Sequence, residues 1–344
     1  MTAGATGREA VAALGAGRMG RGIAVVFACA GHPVSLIDLK TRGARAARDI
    51  ESAARAEISG HLDALARGGL LAPDEARAAQ ERIRFVARPE AAAALARSDI
   101  VFEGVPEVLE AKREALAFAA ASAPGDAIIA STTSTFLVDT LADAVAGPER
   151  FLNSHWLNPA FIIPLVELSP GTRTAPETLA RLKALLERVG KVPVVCAAAP
   201  GYIVPRIQSL AMNEAARMVE EGIASAEDID KATRYGLGFR FAILGVLEFI
   251  DWGGGDILYY ASRYLAMALK DERYAAPLIV DRNMREGRTG LATGRGFFDY
   301  DGIDVAAYRQ DRLADLIGLL RHLGLARPPG QPDPAALPAA LSSP

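Results

Sequence analysis

The chain has 344 residues, enough for two domains that each bury a core, and 51% of them are hydrophobic, with an alanine-rich character that fits a helix-rich enzyme. Its 38 Lys and Arg against 41 Asp and Glu leave a formal net charge of −3, which argues against a nucleic-acid binder. Cys29 and Cys196 lie far apart in apolar contexts and form neither a CxxC nor a metal-ligand spacing, so they read as buried thiols in a reducing cytosol. MTAGATGREA carries no apolar secretory core and no apolar run reaches the length of a membrane span; a cytoplasmic protein with no membrane partner is expected.

After a short tail over residues 1–8, Val11 to Leu14 is an apolar run that ends in Gly15-Ala-Gly17-Arg18-Met19-Gly20. A helical stretch follows to about Ala30 and stops at Gly31; Val34 to Ile37 is a second apolar run, closed by Asp38. Strand, glycine turn, helix, strand and acid in this order form a dinucleotide site. The glycines allow a tight turn and close approach of the pyrophosphate, the helix N-terminus favours the anion, and the acid about 20 residues on accepts from the ribose hydroxyls. The charge of Asp38 disfavours a 2′-phosphate, so NAD is expected over NADP, although Lys40 and Arg42 stand close enough to soften that preference.

Residues 41–82 read as two inserted helices, around Arg42–Arg67 and Pro73–Glu81. Strand signals return at Ile83–Val86, Asp99–Val105, Ala127–Ala130, Phe151–Ser154, Leu165–Leu168 and Val192–Val195, and strands alternating with helices predict an α/β fold with a parallel, doubly wound sheet. Ala197-Ala-Ala-Pro-Gly201 reads as a junction, dividing the chain into residues 9–198 and 199–326. Beyond it the pattern is helical from Tyr202 through Leu269 and from Asp304 to His322, and Pro328, Pro329, Pro332 and Pro334 mark a mobile tail over 327–344.

The stretch SHWLNPAFIIPLVELSP carries His155, one of four histidines, and Glu167 twelve residues on. An imidazole moves a proton near neutral pH, while a carboxylate fixes its tautomer and stabilises the imidazolium. By itself the pair is weak evidence, since a half-buried histidine is more often structural.

Five segments in fixed order add weight: GAGRMG with Asp38; VFEGVPEVLEAK; ASTTST; SHWLNPAFIIPLVEL; and PGYIVPR. With GRTGLATGRGFFDY near the end, the chain resembles the 3-hydroxyacyl-CoA dehydrogenase family over residues 9 to 302. The resemblance implies an N-terminal NAD-binding domain, a helical C-terminal domain that dimerises, and an active site in the cleft between them. By position it implies that His155 is the acid/base and Glu167 its orienting partner. It implies that Ser134 hydrogen-bonds the substrate oxygen, that Asn158 shapes the loop beside the histidine, and that Glu107 and Lys112 lie near the nicotinamide ribose.

Blander readings compete at several positions. Ser131 to Thr135 is a run of hydroxyls that can simply cap a helix. Glu107 can be an ordinary first-turn acid and Lys112 a solvent-exposed residue. His32 reads as a turn residue, and His61 and His322 as surface helix residues. Arg240 and Asp251 can form a structural ion pair, and Phe249, Trp252, Tyr259 and Tyr260 read as core or interface aromatics.

The chain also departs from the family pattern. Pro205 stands where the family's Pro-Gly-Phe-x-x-Asn-Arg opening has an asparagine that helps hold the substrate carbonyl, and proline offers neither a side-chain donor nor a backbone N–H. The segment GLGFRFAILGVLEFIDWGGGD resembles relatives that act on small polar substrates, such as L-gulonate or carnitine dehydrogenases; Arg240 then offers a bidentate fork to a substrate carboxylate. Between Lys40 and Lys112 the only cations are arginines, among them Arg42, Arg45, Arg48, Arg55 and Arg67, available for CoA phosphates. The expectation is an NAD-dependent dehydrogenase interconverting a 3-hydroxy and a 3-oxo group, with 3-hydroxybutyryl-CoA as leading substrate. Its rivals are the same hydride machinery acting on a free ketone, small hydroxy acid or imine, and an NAD-binding protein without turnover.

Overall fold

The computed structural model describes residues 8–326. Most of the expected N-terminal tail and the whole expected proline-rich tail lie outside the described residues. The chain forms two compact units, one up to Met212 and a second from Asn213.

The first unit is built on eight strands: β1 (Val11–Leu14), β2 (Val34–Ile37), β3 (Ile83–Val86), β4 (Ile100–Glu103), β5 (Ile128–Ser131), β6 (Phe151–Trp156), β7 (Leu165–Pro170) and β8 (Val192–Val195). They form one sheet in the order β3-β2-β1-β4-β5-β6-β7-β8. The central strands β1 and β4 are buried at every position, as expected of a parallel sheet covered on both faces. One apolar cluster joins Val11, Ala13, Leu36 and Phe102 to the helix α1 (Arg18–Cys29); the alternate residues Ala12, Leu14, Ile37 and Val101 face a second cluster on the other side. That period-2 division places helices on both faces and leaves the C-terminal ends of the strands open for a ligand.

The parallel, doubly wound sheet expected from the sequence is present, with one antiparallel pair in it. β7 runs antiparallel to β6, with His155 directly opposite Glu167. A loop of eight residues between the two strands is too short for a helical crossover, so the chain returns as a hairpin. The inserted helices α2 (Ala44–Arg67) and α3 (Pro73–Glu81) pack Ala54, Ile58, Leu62, Ala76 and Ala79 onto the α1 cluster; α4 (Ala91–Leu95), α5 (Leu109–Ser122), α6 (Val138–Ala142), α7 (Pro176–Arg188) and α8 (Val204–Glu220) follow along the chain.

Several side chains sit differently from the sequence reading. Cys29 and Cys196 are half-buried rather than buried, both unbonded, and desolvation pushes the Cys29 thiol up to about 11. His32 is buried, its Nδ1 2.9 Å from the Glu9 carbonyl and its ring edge-on to Phe27. His61, expected at the surface, is half-buried and stacks on Phe161 with ring centroids 4.1 Å apart.

Lys191, at the start of β8, is buried without a carboxylate in ion-pair reach among the described residues. Its Nζ donates to the carbonyls of Ala160 (2.6 Å) and Ile163 (2.8 Å) inside the β6–β7 loop. Desolvation lowers its pKa to about 8. A lysine depressed in the folded state binds fewer protons there than in the unfolded chain, so the native state gains stability as pH rises from about 8 towards the ordinary lysine range. A neutral amine still donates to both carbonyls. Melting temperatures of wild type and Lys191→Met, compared between pH 7 and pH 10, are expected to shift in favour of wild type as pH rises; a constant difference argues against this account.

The second unit is helical, with helices at Ala226–Ala232, Val246–Gly253, Gly255–Leu269, Leu278–Arg285 and Val305–His322. The GRTGLATGRGFFDY segment wraps Asp251, whose buried carboxylate accepts from the backbone N–H of Phe297 (2.9 Å) and Phe298 (2.8 Å) and from the Tyr300 hydroxyl (3.1 Å). Gly290 and Gly296 are required beside it, since a Cβ on either falls 2.2 or 2.1 Å from an Asp251 oxygen. Arg240 and Asp251 do not form the ion pair that is the blander reading of these residues. Arg240 donates through Nε to the Gly236 carbonyl at 2.9 Å and lies over the Phe249 ring. No described helix is long and apolar enough to cross a membrane.

Candidate active site

The β1–α1 turn has the shape of a pyrophosphate cradle. Gly15 adopts φ +120°, where a Cβ would stand 2.7 Å from the Gly104 carbonyl oxygen. Gly20 sits in the first turn of α1, where a Cβ would stand 2.0 Å from the Gly15 carbonyl oxygen. Gly17, the residue before the helix, meets nothing within 4 Å: its backbone is open to an incoming group. The first turn of α1 holds no acidic residue and no side-chain cap, so its N–H groups are available to an anion. Arg18 is exposed at that end, while Met19 packs against the core. Asp38 follows β2, nearly buried, accepting from the Lys40 backbone N–H at 3.2 Å and paired with Arg42. The residues present therefore fit a dinucleotide. Gly20→Ala forces the turn to shift; overpacking of this kind costs about 1–3 kcal/mol, so NADH affinity is expected to fall roughly tenfold to a hundredfold. Fluorescence titration with NADH measures it, and unchanged affinity contradicts the cradle.

A buried polar cluster lies at the ends of β4 and β5. Glu103 and Ser131 are register partners in the parallel sheet, and the Ser131 hydroxyl donates to Glu103 at 2.5 Å. Lys112, on α5 (Leu109–Ser122), is only 1% exposed, not the solvent-facing residue that a lone lysine suggests. Its Nζ lies 3.1 and 3.3 Å from the two Glu103 oxygens and 3.3 Å from Glu107. Burial raises the Glu103 carboxyl against the opposing pull of Lys112.

Glu107 precedes α5 rather than occupying its first turn. It accepts from the backbone N–H of Ser134 (3.2 Å) and Thr135 (3.0 Å) and from the Thr133 hydroxyl. Partial burial pushes its carboxyl up, but the Thr133 hydroxyl and Lys112 outweigh this and hold it below the ordinary range. The hydroxyl run does not cap a helix by side chain: α6 (Val138–Ala142) starts at Leu137 with no such bond. Thr133 instead accepts from the N–H of Thr135 and Phe136, folding the turn that leaves Ser134 exposed.

At the neighbouring strands, the antiparallel register brings His155 Nδ1 to 2.7 Å from Glu167 Oε2. His155 is 5% exposed and Glu167 fully buried. The other oxygen, Oε1, accepts from the backbone N–H of Ile203 (2.8 Å) and Val204 (2.9 Å), at the start of α8 (Val204–Glu220). One carboxylate thus fixes the imidazole and satisfies two orphan helix-start donors. With Nδ1–H directed at the carboxylate, Nε2 is the atom left to exchange a proton. Pro205 lies in the first turn of α8, where its missing N–H leaves no broken helix bond. Asn158 is exposed in the β6–β7 loop, joined to Pro159 by a cis peptide.

Tyr202 and Asn153 were not singled out in the sequence. The Tyr202 ring stacks on His155, centroids 4.8 Å apart and planes 13° from parallel. Asn153, two residues before His155 and so on the same face of β6, donates to the Tyr202 hydroxyl at 3.1 Å. A polar residue at i−2 of a candidate base on a strand is the signal that points to it. No cluster of three or more metal-ligating side chains occurs among the described residues.

Two family models match the chain: the NAD binding domain of 3-hydroxyacyl-CoA dehydrogenase over residues 10–199 and the C-terminal domain of 3-hydroxyacyl-CoA dehydrogenase over residues 201–300. A 5-formyl-3-hydroxy-2-methylpyridine 4-carboxylate 5-dehydrogenase of Mesorhizobium japonicum is 30% identical over 314 residues, 91% of this chain and 97% of that protein. A 3-hydroxybutyryl-CoA dehydrogenase of Bradyrhizobium diazoefficiens is 34% identical over 293 residues, 85% of this chain and 95% of that protein. The crystal structure of a 3-hydroxyacyl-CoA dehydrogenase from Archaeoglobus fulgidus superposes with a TM-score of 0.73 at 33% identity, covering 93% of this chain and all of that one.

Proposed function

This chain belongs to the 3-hydroxyacyl-CoA dehydrogenase family, an NAD-dependent oxidoreductase type, and from that premise we propose that it interconverts 3-hydroxybutyryl-CoA and acetoacetyl-CoA with His155 as the acid/base. The observation that carries the reading is the His155–Glu167 pair, buried and aligned at the C-terminal side of a dinucleotide sheet.

NAD supplies the hydride acceptor or, reduced, the donor, so the protein supplies orientation and one proton transfer. In reduction, protonated His155 gives the Nε2 proton to the substrate oxygen as that oxygen gains negative charge. In oxidation, neutral His155 takes the hydroxyl proton at the same atom. Glu167 holds Nδ1–H throughout and stabilises the imidazolium. Ser134 donates to the developing alkoxide from the exposed turn that Glu107 and Thr133 fix. Glu107, with Lys112 3.3 Å away, would lie beside the nicotinamide ribose of a bound NAD. Gly15, Gly17, Arg18, Met19 and Gly20 form the pyrophosphate turn, and Asp38 receives the ribose hydroxyls. Asn158 shapes the loop beyond the histidine.

The second unit serves in dimerisation. Supporting this, Ile257, Tyr260, Tyr264 and Met267 recur on the Gly255–Leu269 helix and are 62%, 61%, 64% and 73% exposed in the single chain, an apolar stripe that a second copy would cover.

A second reading keeps the hydride step but changes the substrate to a small carboxylate-bearing alcohol or carbonyl compound. Two observations favour it. Pro205 offers no donor, and Arg240 has no carboxylate in ion-pair reach among the described residues. The Mesorhizobium relative, by its name, acts on a pyridine carboxylate. NADH oxidation with acetoacetyl-CoA, repeated with free acetoacetate and with NADPH, tests both. Fast turnover that needs the thioester supports the first reading. Activity only with free acids supports the second, and cofactor binding without turnover on any substrate overturns both.

A further inference from the structure

The four residues Gly201–Val204 hold both members of the proposed dyad. The N–H groups of Ile203 and Val204 bind Glu167, and the ring of Tyr202 covers His155. Tyr202 is 8% exposed and reaches this place with φ +45°, a left-handed conformation that an L-residue with a side chain adopts at a cost. Glycine would relieve the backbone there, and phenylalanine would supply the ring. What tyrosine adds is a hydroxyl, and it has two partners: it donates to the Thr133 carbonyl at 2.8 Å and accepts from Asn153 at 3.1 Å. Burial pushes that hydroxyl far above its ordinary range, so it stays a donor at every working pH.

These contacts join into one path. Lys112 holds Glu107; Glu107 holds the Thr133–Thr135 turn; the Thr133 carbonyl holds the Tyr202 hydroxyl; the Tyr202 ring lies flat on His155; and His155 is bound to Glu167. The turn that carries Ser134 and the imidazole that moves the proton are otherwise on different strands, β5 and β6. Apart from the sheet itself, two side chains tie them together: Asn153 on β6 donates to the Phe136 carbonyl at 2.9 Å, and Tyr202 touches the turn through its hydroxyl and the imidazole through its ring.

We propose that Tyr202 is a positioning residue for the hydride and proton steps, its ring setting the plane of the His155 imidazole and its hydroxyl locking the Ser134 turn to that ring. The proposal rests on the dehydrogenase reading above. It assigns the two halves of the side chain different consequences. Losing the stack frees the imidazole, which lowers the rate of proton transfer. Losing only the hydroxyl frees the turn, which weakens NADH binding beside Glu107 and loosens the Ser134 donor, at a smaller loss of rate than losing the stack.

Two substitutions separate the halves in the full-length protein. Tyr202→Leu removes the stack together with the hydroxyl; kcat with acetoacetyl-CoA is expected to fall at least tenfold and the isotope effect with [4-2H]NADH to change, with the Kd for NADH raised at least as much as Tyr202→Phe raises it. Tyr202→Phe keeps the stack; the Kd and KM for NADH are expected to rise severalfold while kcat stays within threefold. A readout independent of turnover is the downfield Nδ1 proton resonance of His155, assigned by its disappearance in His155→Gln; it is expected to persist in Tyr202→Phe and to broaden or vanish in Tyr202→Leu. Lower melting temperatures with kcat, KM and the resonance unchanged overturn the proposal and leave Tyr202 a packing residue. Should Tyr202→Leu not fold, an unchanged NADH affinity in Tyr202→Phe overturns the hydroxyl half by itself. If wild type fails on acyl-CoA but shows the resonance, the substrate reading has failed and the NMR comparison still decides the role of Tyr202.

Discussion

His155→Ala is expected to retain NADH binding and to lose turnover by a factor on the order of 10²–10⁴, the range that a positioned acid/base supplies. The cradle lies at the start of α1 and the imidazole on β6, so the substitution leaves the glycine turn and Asp38 untouched. The substitution leaves one oxygen of the buried Glu167 carboxylate without its donor, so some loss of stability accompanies the loss of turnover, and NADH binding certifies that the variant has folded. The fall belongs in kcat rather than KM, because proton transfer is an interaction gained in the transition state. Fluorescence titration establishes cofactor binding, and absorbance at the NADH band follows turnover with acetoacetyl-CoA. Turnover within tenfold of wild type removes His155 from the chemistry, whatever the substrate.

How far such a site can be read before a structure is known depends on the range of the contacts. The first two strands, the glycine turn and the helix were legible because they are local: strand, turn and helix follow one another within about 30 residues, and Gly20 answers a steric demand inside its own turn. The direction of β7 was not legible. A short strand such as LVELSP pairs in either direction, and what decides is the length of the connection, here too short for a crossover helix. The same antiparallel register explains why the dyad could be guessed. Partners across an antiparallel pair have a constant index sum, and His155 with Glu167 shares the sum of Asn153 with Ser169, so one hairpin register brings the dyad together.

Lys112 was harder. A lone lysine is most often solvent-exposed, and the cue lay elsewhere, in Glu103 at the end of the apolar strand IVFE. A carboxylate buried by a sheet needs a cation or donors, and the lysine nine residues on supplies one. Tyr202 was not legible at all, since its hydroxyl contacts lie 49 and 69 residues away in sequence. The arginines of the insertion show the opposite limit. Their number was plain, but the structure commits Arg42 to Asp38 and Arg55 to Glu51, so composition overstated the cations free for an anionic ligand.

Glu167→Gln is the more discriminating substitution, because it keeps shape and removes one acceptor. The native carboxylate receives three donors: His155 Nδ1–H on one oxygen and the N–H groups of Ile203 and Val204 on the other. A glutamine amide accepts on one side only. The two backbone N–H groups cannot reverse their polarity, whereas imidazole can, by moving its proton to Nε2. The amide oxygen is therefore expected to stay with Ile203 and Val204 and the NH2 to face Nδ1. Nδ1 then becomes an acceptor and Nε2 carries the proton in the neutral ring, which leaves no base facing the substrate hydroxyl. Oxidation is expected to fall by about 10²–10⁴-fold. The protein should remain folded, with a loss of roughly 1–3 kcal/mol if one buried donor goes unmatched. Glu167→Ala leaves all three donors unmatched and should destabilise more than the glutamine variant. The 15N shifts of the His155 ring report the tautomer directly: an Nε2–H neutral form in Glu167→Gln, against Nδ1–H in wild type, is the expected result. Normal oxidation rates with the native tautomer would mean that Glu167 serves chiefly to cap α8, and that the imidazole is oriented by the tyrosine stacked on it.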